Sequence, residues 1–300
     1  MQPASKRFAI TGVAGYIAPR HLQAIKETGN NLVAALDPHD AVGVIDSYFP
    51  SADFFTETER FDRHLEKLKR NGEGIEFLSI CSPNYLHDAH IRMALRLGAN
   101  AICEKPLVLK PWNLSHLKEI EQELGKKVYT VLQLRHHPSI MALKESVSNI
   151  THRHHIDLTY ITSRGKWYQY SWKGNEERSG GIIANIGIHF FDMLIWIFGN
   201  VQSYTLDYYS STKAKGSLSL QNAEVSWFLS IDAADLPTNV AAQGKRTYRS
   251  LQMDGTELEF SEGFTGLHTQ VYKSILAGNG YGIDDAQASI ELVHNLKNIR

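Results

Sequence analysis

The first 134 residues alternate short apolar runs with amphipathic stretches, and this alternation is the feature that most limits how the chain folds. The apolar runs have the length of strands and cover residues 8–11, 32–36, 77–81, 101–103 and 128–134. The stretches between them follow helical periodicity, for example over residues 18–28, 90–97 and 111–124. Apolar strands joined by helical crossovers predict a parallel sheet that helices cover on both faces.

The pattern of apolar and polar residues changes near Arg135, and this change predicts a second domain. Longer segments in which apolar and polar residues alternate are typical of antiparallel strands, and they cover residues 154–165, 201–211, 224–233, 248–255 and 257–263. A strongly apolar helix is expected over 181–198, and a final amphipathic helix over 284–299. The predicted domains are therefore residues 1–134 and residues 135–300, with the last helix able to pack back on the first domain.

The composition predicts a soluble, cytoplasmic protein. Hydrophobic residues make up 43% of the chain, and no apolar run approaches the ~20 residues that a membrane helix needs. The N-terminal residues lack the apolar segment of a signal peptide, and Cys81 and Cys103 are expected to be reduced. Because 31 basic and 32 acidic residues nearly balance without a basic cluster, neither nucleic acid nor membrane is an expected partner.

A glycine motif follows the first predicted strand. It reads Gly-x-x-Gly-x-x-Ala, and its predicted cofactor-binding residues are Gly12, Ala14, Gly15, Tyr16 and Ile17. Alone, this motif also fits an ordinary turn between a strand and a helix. Asp37 ends the second strand 25 residues after Gly12, where a carboxylate accepts both ribose hydroxyls of NAD and repels the 2′-phosphate of NADP. Together they predict an α/β protein with a doubly wound Rossmann sheet that binds NAD, followed by an α/β domain with a large, mainly antiparallel sheet.

Two further loops follow predicted strands at the edge where parallel sheets bind ligands. They add expected cofactor contacts from Ser82, Pro83, Asn84, His87, Glu104 and Lys105, and the last strand adds Gln133. The ammonium group of Lys105 is also a candidate to stabilise a developing alkoxide or to relay its proton. The alternative for any single lysine is a solvated surface residue.

These motifs, together with the segment GGIIANIGIHFFD over residues 180–192, resemble the glucose–fructose oxidoreductase/inositol dehydrogenase/rhizopine catabolism (Gfo/Idh/MocA) family. Further segments, among them GYIAPRH, LQLRHHP and TYITSRGKWY, are similar to the UDP-N-acetylglucosaminuronate 3-dehydrogenases of bacterial surface-polysaccharide (O-antigen) synthesis. The resemblance implies NAD-dependent oxidation of the sugar C3 hydroxyl to a ketone, and commonly a homotetramer. It also implies that some members reoxidise bound NADH with 2-oxoglutarate.

The resemblance assigns the acid–base chemistry to Lys105 and His189. Many family members carry Asp at the position of Asn185, and because an amide cannot accept a proton, Asn185 is expected to orient the substrate hydroxyl. The spacing of four residues predicts Asn185 and His189 on one face of a helix. An imidazole titrates near neutral pH and is suited to remove the hydroxyl proton. The alternative for His189 is a hydrogen-bonded core residue.

A loop after the first predicted strand of the second domain mixes cations with aromatic rings. The expected substrate-binding residues, besides Lys105, Asn185 and His189, are Arg164, Lys166, Trp167, Tyr168 and Trp172, with Lys173 beside them. Residues Arg135, His136 and His137 are expected to close over the cofactor or to shape the substrate site. His152, His154 and His155 predict a solvated strand entrance, and without cysteines or a suitably spaced carboxylate the sequence predicts no metal site.

Two alternatives stay open. The general motifs fit a dehydrogenase of another sugar or cyclitol equally well, although the longer segments favour the sugar nucleotide. The same fold also permits a non-catalytic NAD(H)-binding sensor, against which the presence of both Lys105 and His189 argues.

Overall fold

A computed structural model describes residues 5–40, 42–147, 152–258 and 264–299. The chain forms two compact units, of which the first contains Met1–Gln133 and Gly266–Ala286 and the second contains Leu134–Thr265 and Gln287–Arg300. The sequence predicted domains of residues 1–134 and 135–300, with only the last helix able to pack back on the first domain, whereas the whole segment Gly266–Ala286 belongs to the first unit. The physical cause of this difference is the apolar face of the segment, because Val271, Tyr272 and Ile275 join the buried core of the first unit.

The strands and helices are as follows. The strands are β1 (Arg7–Thr11), β2 (Asn31–Leu36), β3 (Asp53–Phe55), β4 (Phe77–Ile80), β5 (Asn100–Cys103), β6 (Val128–Thr130), β7 (His154–Thr162), β8 (Val201–Tyr209), β9 (Lys213–Leu220), β10 (Ala223–Ser230), β11 (Thr247–Met253) and β12 (Thr256–Glu257). The α-helices are α1 (Ala18–Glu27), α2 (Val42–Tyr48), α3 (Thr58–Arg70), α4 (His87–Arg96), α5 (Trp112–Leu124), α6 (Pro138–Val147), α7 (Trp167–Tyr170), α8 (Glu176–Ser179), α9 (Ile188–Phe198), α10 (Thr238–Ala242), α11 (Leu267–Leu276) and α12 (Ile283–Asn298).

The sheet of the first unit has the strand order β3-β2-β1-β4-β5-β6, and its strands pair in parallel. This is the order of a doubly wound Rossmann sheet, as predicted. The chain moves outward in opposite directions from β1 and from β4, so the carboxyl ends of these two strands border the crevice where such sheets bind ligands.

The last predicted strand of this sheet is shorter than expected. The sequence indicated residues 128–134, but β6 ends at Thr130 and residues Gln133–His136 form a 3₁₀ turn. The ladder stops because the N–H of Leu132 donates to the carbonyl of Thr130 within its own segment instead of to β5. Apolar residues thus continue beyond the strand without extending the sheet.

The second unit contains a sheet with the order β12-β11-β7-β10-β9-β8. Among the described strands of this second sheet, only β7 and β10 pair in parallel, so the expectation of a mainly antiparallel sheet is confirmed. Strand β9 was not predicted, because its polar and small residues give a weak strand signal although Ala214, Leu218 and Leu220 are buried. Of the predicted strand over 257–263, residues 259–263 lie outside the described part of the chain.

The apolar helix predicted over 181–198 is interrupted by a change of geometry. Gly180 and Gly181 both have positive φ, Ile183–Gly187 form a π-helical turn, and α9 follows. A Cβ atom on Gly181 would lie 2.5 Å from the hydroxyl oxygen of Tyr209. By length and composition alone, the helical stretch Glu176–Phe198 passes as a membrane span, but 83% of its apolar window is buried, as in core helices.

Candidate active site

The turn after β1 packs against the end of β4. Gly12 has φ of 78°, and a Cβ atom there would lie 2.5 Å from the backbone of Cys81 and Ser82. The N–H groups of Gly12 and Val13 donate to the carbonyl of Leu36, which ties the turn to the end of β2. Only glycine lets the turn come this close to the backbone at the end of β4, which explains why the motif has glycine at position 12.

Asp37 lies against the same turn. Its Oδ2 accepts from the backbone N–H of Ala14 at 3.0 Å, and its Oδ1 accepts from the N–H of His39 at 2.9 Å. A carboxylate has lone pairs beyond these two bonds, so it is also able to accept ribose hydroxyls. The structure therefore brings together Gly12, Ala14, Asp37 and Ser82, while the ring of Tyr16 is 83% exposed. Gly15 and Ile17 are half-buried in the same turn.

The loop after β4 is fixed by histidines. The ring nitrogens of buried His87 lie 2.7 Å from the carbonyl oxygen of Pro106 and 2.9 Å from that of Ser82. Burial lowers the pKa of His87 against the opposing effect of these carbonyls. His87 thus connects the loops after β4 and β5, and its predicted cofactor contact stays a prediction. Pro83 is half-buried and Asn84 is buried in the first of these loops.

The loop after β5 carries Glu104 and Lys105. The Lys105 side chain is half-buried, and the Lys105–Pro106 peptide bond is cis. The carboxylate of Glu104 is buried and accepts from His21 and His268, each at 3.0 Å. Burial raises the pKa of Glu104, but the hydrogen bonds from the two histidines outweigh it and hold the pKa well below its usual range. The predicted cofactor contact of Glu104 stays a prediction, whereas its contacts with the two histidines were not foreseen.

Gln133 begins the 3₁₀ turn that follows β6. Its Oε1 atom is buried and has no hydrogen-bond partner among the described residues. A buried amide oxygen without a donor is costly, and such atoms in native proteins often face a ligand. This observation fits the predicted cofactor contact of Gln133.

The second unit pairs two of the predicted substrate residues. Asn185 lies in the π-helical turn, and its amide donates to the hydroxyl oxygen of Tyr168 at 2.8 Å. Burial raises the pKa of Tyr168, so the phenol keeps its own proton for donation at neutral pH. His189 is half-buried in the first turn of α9. The expected single α-helical face is thus a junction of a π turn with an α-helix, a geometry that recurs at functional sites.

Two indole rings flank Lys173 in the same unit. The Lys173 ammonium lies 4.6 Å from the ring centre of Trp172 and 5.7 Å from that of Trp167, within the range of cation–π attraction. Burial and the nearby charge of Arg164 lower the pKa of Lys173. Arg164 and Lys166 are exposed, so cations and rings gather on one segment as predicted from the sequence.

The residues at the end of the 3₁₀ turn are held by buried contacts. The guanidinium of Arg135 makes a buried, bidentate ion pair with Asp192 at 2.7 and 3.0 Å, and its expected place over the cofactor or beside the substrate stays a prediction. The His137 ring is buried beside Phe264, and burial lowers the pKa of His136.

The expectation of a solvated histidine cluster at the start of β7 is wrong for His154, which is buried, whereas His152 and His155 are exposed. The cluster also meets a carboxylate that its sequence spacing did not show. His154 hydrogen-bonds to Asp254 at 2.7 Å, and the N–H of His155 donates to the other oxygen of that carboxylate at 2.8 Å. The ring of His152 lies 4.5 Å from that of His154, between centroids. Hydrogen bonds account for both oxygens of Asp254.

The parallel sheet, the glycine turn and Asp37 define a dinucleotide-binding Rossmann unit. Comparison with known proteins shows which family of dinucleotide-binding proteins this chain resembles. The Gfo/Idh/MocA oxidoreductase family model for the NAD-binding Rossmann fold matches residues 6–132, and its model for the C-terminal alpha/beta domain matches residues 151–246. The chain belongs to the Gfo/Idh/MocA oxidoreductase family.

The relatives differ widely in similarity. A WlbA (WbpB) dehydrogenase from Thermus thermophilus, solved with NAD and alpha-ketoglutarate, is 55% identical to this chain with a TM-score of 0.96. The match covers 98% of this chain and 96% of the chain of that dehydrogenase. The same dehydrogenase solved with NAD and UDP-GlcNAcA gives 55% identity, 97% and 94% coverage, and a TM-score of 0.94. Glucose-6-phosphate 3-dehydrogenase of Bacillus subtilis is 25% identical over 64% of this chain, and the chain spans only 54% of that relative's length.

Proposed function

We propose that this protein is an NAD-dependent dehydrogenase that oxidises the C3 hydroxyl of UDP-N-acetylglucosaminuronic acid to the 3-keto sugar. One observation carries the proposal. The chain is 55% identical, over nearly its whole length, to a dehydrogenase solved with NAD and UDP-GlcNAcA. The resemblance that the sequence motifs carry supports the same substrate.

The first unit has residues that fit NAD. The glycine turn from Gly12 to Ile17 would hold the pyrophosphate at the start of α1, and Asp37 would accept the ribose hydroxyls. The loop containing Ser82, Pro83 and Asn84 would border the nicotinamide, and the buried oxygen of Gln133 would accept from an amide donor. When bound, the nicotinamide supplies the chemistry of hydride acceptance.

Three residues carry the remaining chemistry in this proposal. His189 removes the proton of the C3 hydroxyl as general base, and the ammonium of Lys105 stabilises the developing negative charge on that oxygen. Asn185 orients the hydroxyl, because its amide is fixed by the hydrogen bond to Tyr168. The side chain of Asn185 cannot take over the proton, so the base function stays with the imidazole.

The segment around Lys173 supplies the proposed anchor for the negative groups of the substrate. Lys173 and Arg164 lie close enough for the charge of Arg164 to lower the pKa of Lys173, so an anion between them is favourable. Lys166, Tyr168 and the rings of Trp167 and Trp172 complete the proposed set of substrate contacts.

The proposal extends to cofactor recycling and cellular context. A relative solved with NAD and alpha-ketoglutarate supports reoxidation of bound NADH by 2-oxoglutarate in this protein. We assign the activity to bacterial O-antigen (lipopolysaccharide) biosynthesis, in the cytoplasm, by a homotetramer. Nucleic acid and membrane have no part in it.

The test combines the purified protein with UDP-N-acetylglucosaminuronic acid and 2-oxoglutarate, and identifies the products by mass spectrometry. We expect the 3-keto sugar and 2-hydroxyglutarate in equal amounts. The Lys105→Met variant is the control, because it removes the charge at the reacting oxygen while a side chain of similar length remains. Turnover of a different sugar or cyclitol alone would contradict the substrate. If no sugar changes the reduced-nicotinamide absorbance when 2-oxoglutarate is left out, and no sugar product forms when it is present, the protein is an NAD(H) sensor instead.

A further inference from the structure

A chain of buried hydrogen bonds lies behind the loop that carries Lys105. It starts at Glu104, whose Oε1 accepts from the Nε2 atoms of His21 on α1 and of His268 on α11, each at 3.0 Å. The other nitrogen of His21 lies 2.8 Å from the hydroxyl of Tyr272, which in turn lies 2.6 Å from the hydroxyl of Ser79 in β4. The backbone N–H of Lys105 faces the second oxygen of Glu104 at 3.3 Å.

The network has a consistent set of donors and acceptors without a metal ion. Both histidines approach the same carboxylate oxygen at the distance of an N–H···O bond, and burial lowers the pKa of His21, which favours its neutral form. A neutral His21 that donates from Nε2 accepts at Nδ1 from Tyr272, and Tyr272 accepts from Ser79. The residues are almost completely buried, with His21 at 0% and His268 at 3% exposure.

The carboxylate of Glu104 is the charged member of this region. Burial, followed by the charge of Glu104, raises the pKa values of Cys81 and Cys103, and burial also raises that of Tyr272. These groups are therefore neutral at physiological pH. An isolated carboxylate in such surroundings would take up a proton, so its ionised form depends on the N–H donors that surround it.

We propose that His268 and His21 are positioning residues, which hold Glu104 ionised and in one orientation and thereby fix the adjacent Lys105 for its reaction. The inference rests on the proposed role of Lys105. The second oxygen of Glu104 accepts from the backbone N–H of Lys105 at 3.3 Å, so rotation of the carboxylate away from its donors would release the backbone from which the Lys105 side chain extends. A misplacement of about 1 Å at a reacting group costs up to ~10²-fold in rate.

The test compares two substitutions of His268 with a control on the same helix. His268→Leu removes the N–H donor, whereas His268→Gln keeps an N–H donor at a similar distance from the backbone. The control is Thr269→Val, because the Thr269 hydroxyl donates to Glu27 at 2.7 Å and so connects α11 to α1 through a hydrogen bond outside the network. For each protein we would measure the single-turnover rate of hydride transfer, KM for the sugar nucleotide, Kd for NAD and Tm.

We expect His268→Leu to lower the rate about 10- to 100-fold while KM and the Kd for NAD change less than about threefold. His268→Gln should regain most of the rate, and Thr269→Val should match the wild type in rate even if its Tm falls. Equal losses in the Leu and Gln variants would show that ring packing, not donation, matters, and an unchanged rate in His268→Leu would overturn the proposal.

A second measurement uses the protein without cofactor and is independent of the proposed function. Infrared difference spectra between each protein and its Glu104→Gln counterpart report whether Glu104 is protonated. We expect a carboxylate signal from pH 5 to 8 in the wild type and in His268→Gln, and a titrating carboxylic acid signal in His268→Leu. An ionised Glu104 throughout in His268→Leu would contradict the proposal even if the wild type oxidised no sugar nucleotide.

Discussion

At Gly12, the absence of a side chain lets the loop after β1 pack directly against the end of β4. We predict that Gly12→Ala destabilises the protein by about 2–4 kcal/mol, because the new methyl group meets the backbone of Cys81 and Ser82 in addition to the strain of positive φ. Affinity for NAD should fall at least tenfold. Thermal unfolding and calorimetric titration measure the two effects.

The chain offers a matched control for this substitution. Gly29 has φ of 73°, but a Cβ atom there would meet nothing within 4 Å. Gly29→Ala should therefore cost only the conformational term, about 1 kcal/mol, and leave NAD binding unchanged. Equal losses in the two variants would mean that positive φ, not the approach of the two strand ends, makes Gly12 necessary.

Asp37 is predicted to select NAD against NADP. Replacement by alanine removes an acceptor of the ribose hydroxyls and the charge that repels a 2′-phosphate, so Asp37→Ala should weaken NAD about 10- to 100-fold and improve the relative affinity for NADP. The substitution also removes the bond to the N–H of Ala14. Dissociation constants for both dinucleotides test this. An unchanged affinity for NAD, without any gain for NADP, would exclude the assigned role.

His189 is predicted to act as the base. His189→Asn should leave Tm within a few degrees of the wild type and lower the rate of hydride transfer by ~10²–10⁴. Single-turnover absorbance measurements across pH are the test, because a histidine base gives a rate that rises with pH near neutrality. A variant that keeps both the rate and the pH profile of the wild type would remove His189 from the mechanism.

At the scale of elements, the ion pair between Arg135 and Asp192 ties the turn after β6 to α9. Both side chains are almost completely buried, with 6% and 4% of the side-chain surface exposed. Removal of one partner leaves the other charge buried without its bidentate ion pair, so Arg135→Met should destabilise the protein by about 3–5 kcal/mol. The double variant Arg135→Met with Asp192→Leu should recover a large part of that loss. Urea unfolding of the wild type, Arg135→Met, Asp192→Leu and the double variant gives the coupling energy between the two side chains, and additive losses would refute the predicted coupling.

Elements with a strong local pattern were predictable from the sequence. Strands β1, β2, β4 and β5 were found because fully buried parallel strands consist of consecutive apolar residues. β9 was missed because Lys213–Leu220 contains lysines, serines and a glycine, and its burial comes from pairing with distant strands. α11 was missed for a related reason, since its core residues are recognisable only beside α1.

The candidate site was predictable to the same extent. The glycine turn and Asp37 follow from local spacing, so the structure brings them together as expected. The network around Glu104 was not found, because its two histidine donors are 83 residues before and 164 residues after it in the chain. The ion pair of Arg135 was not found either, because its buried partner Asp192 is 57 residues away in the chain.

For the whole molecule, the buried histidines predict a loss of stability in acid. Burial lowers the pKa values of His21, His87 and His90, the last from 6.5 to about 4. The unfolded chain therefore binds protons first as the pH falls below 6.5. The stability that comes from keeping these histidines neutral is fully present above pH 6.5 and is lost as the pH falls towards 4. His90 alone accounts for about 3 kcal/mol of this loss in the free energy of unfolding.

Urea unfolding at pH values from 7.5 to 4.5 measures this slope. His90→Asn is the informative variant, because an amide can replace the ring nitrogen that contacts the hydroxyl of Ser82 at 2.9 Å. The free energy of unfolding of His90→Asn should fall less steeply as the pH falls. The slope corresponds to the number of protons taken up on unfolding, and the variant should take up as much as one proton fewer than the wild type. Parallel curves for the variant and the wild type would show that His90 contributes no proton uptake.

The return of Gly266–Ala286 to the first unit also sets an order of events at the ribosome. Glu104 and its strand are translated 164 residues before His268, which completes the donors around the carboxylate. Until that point, the nascent first unit lacks Tyr272 from its core and the second histidine from its buried anion. The nucleotide-binding unit therefore cannot reach its final structure when only its N-terminal part has emerged from the ribosome. Residues Leu134–Thr265 of the second unit are already synthesised when the first unit becomes complete, and only Gln287–Arg300 follow.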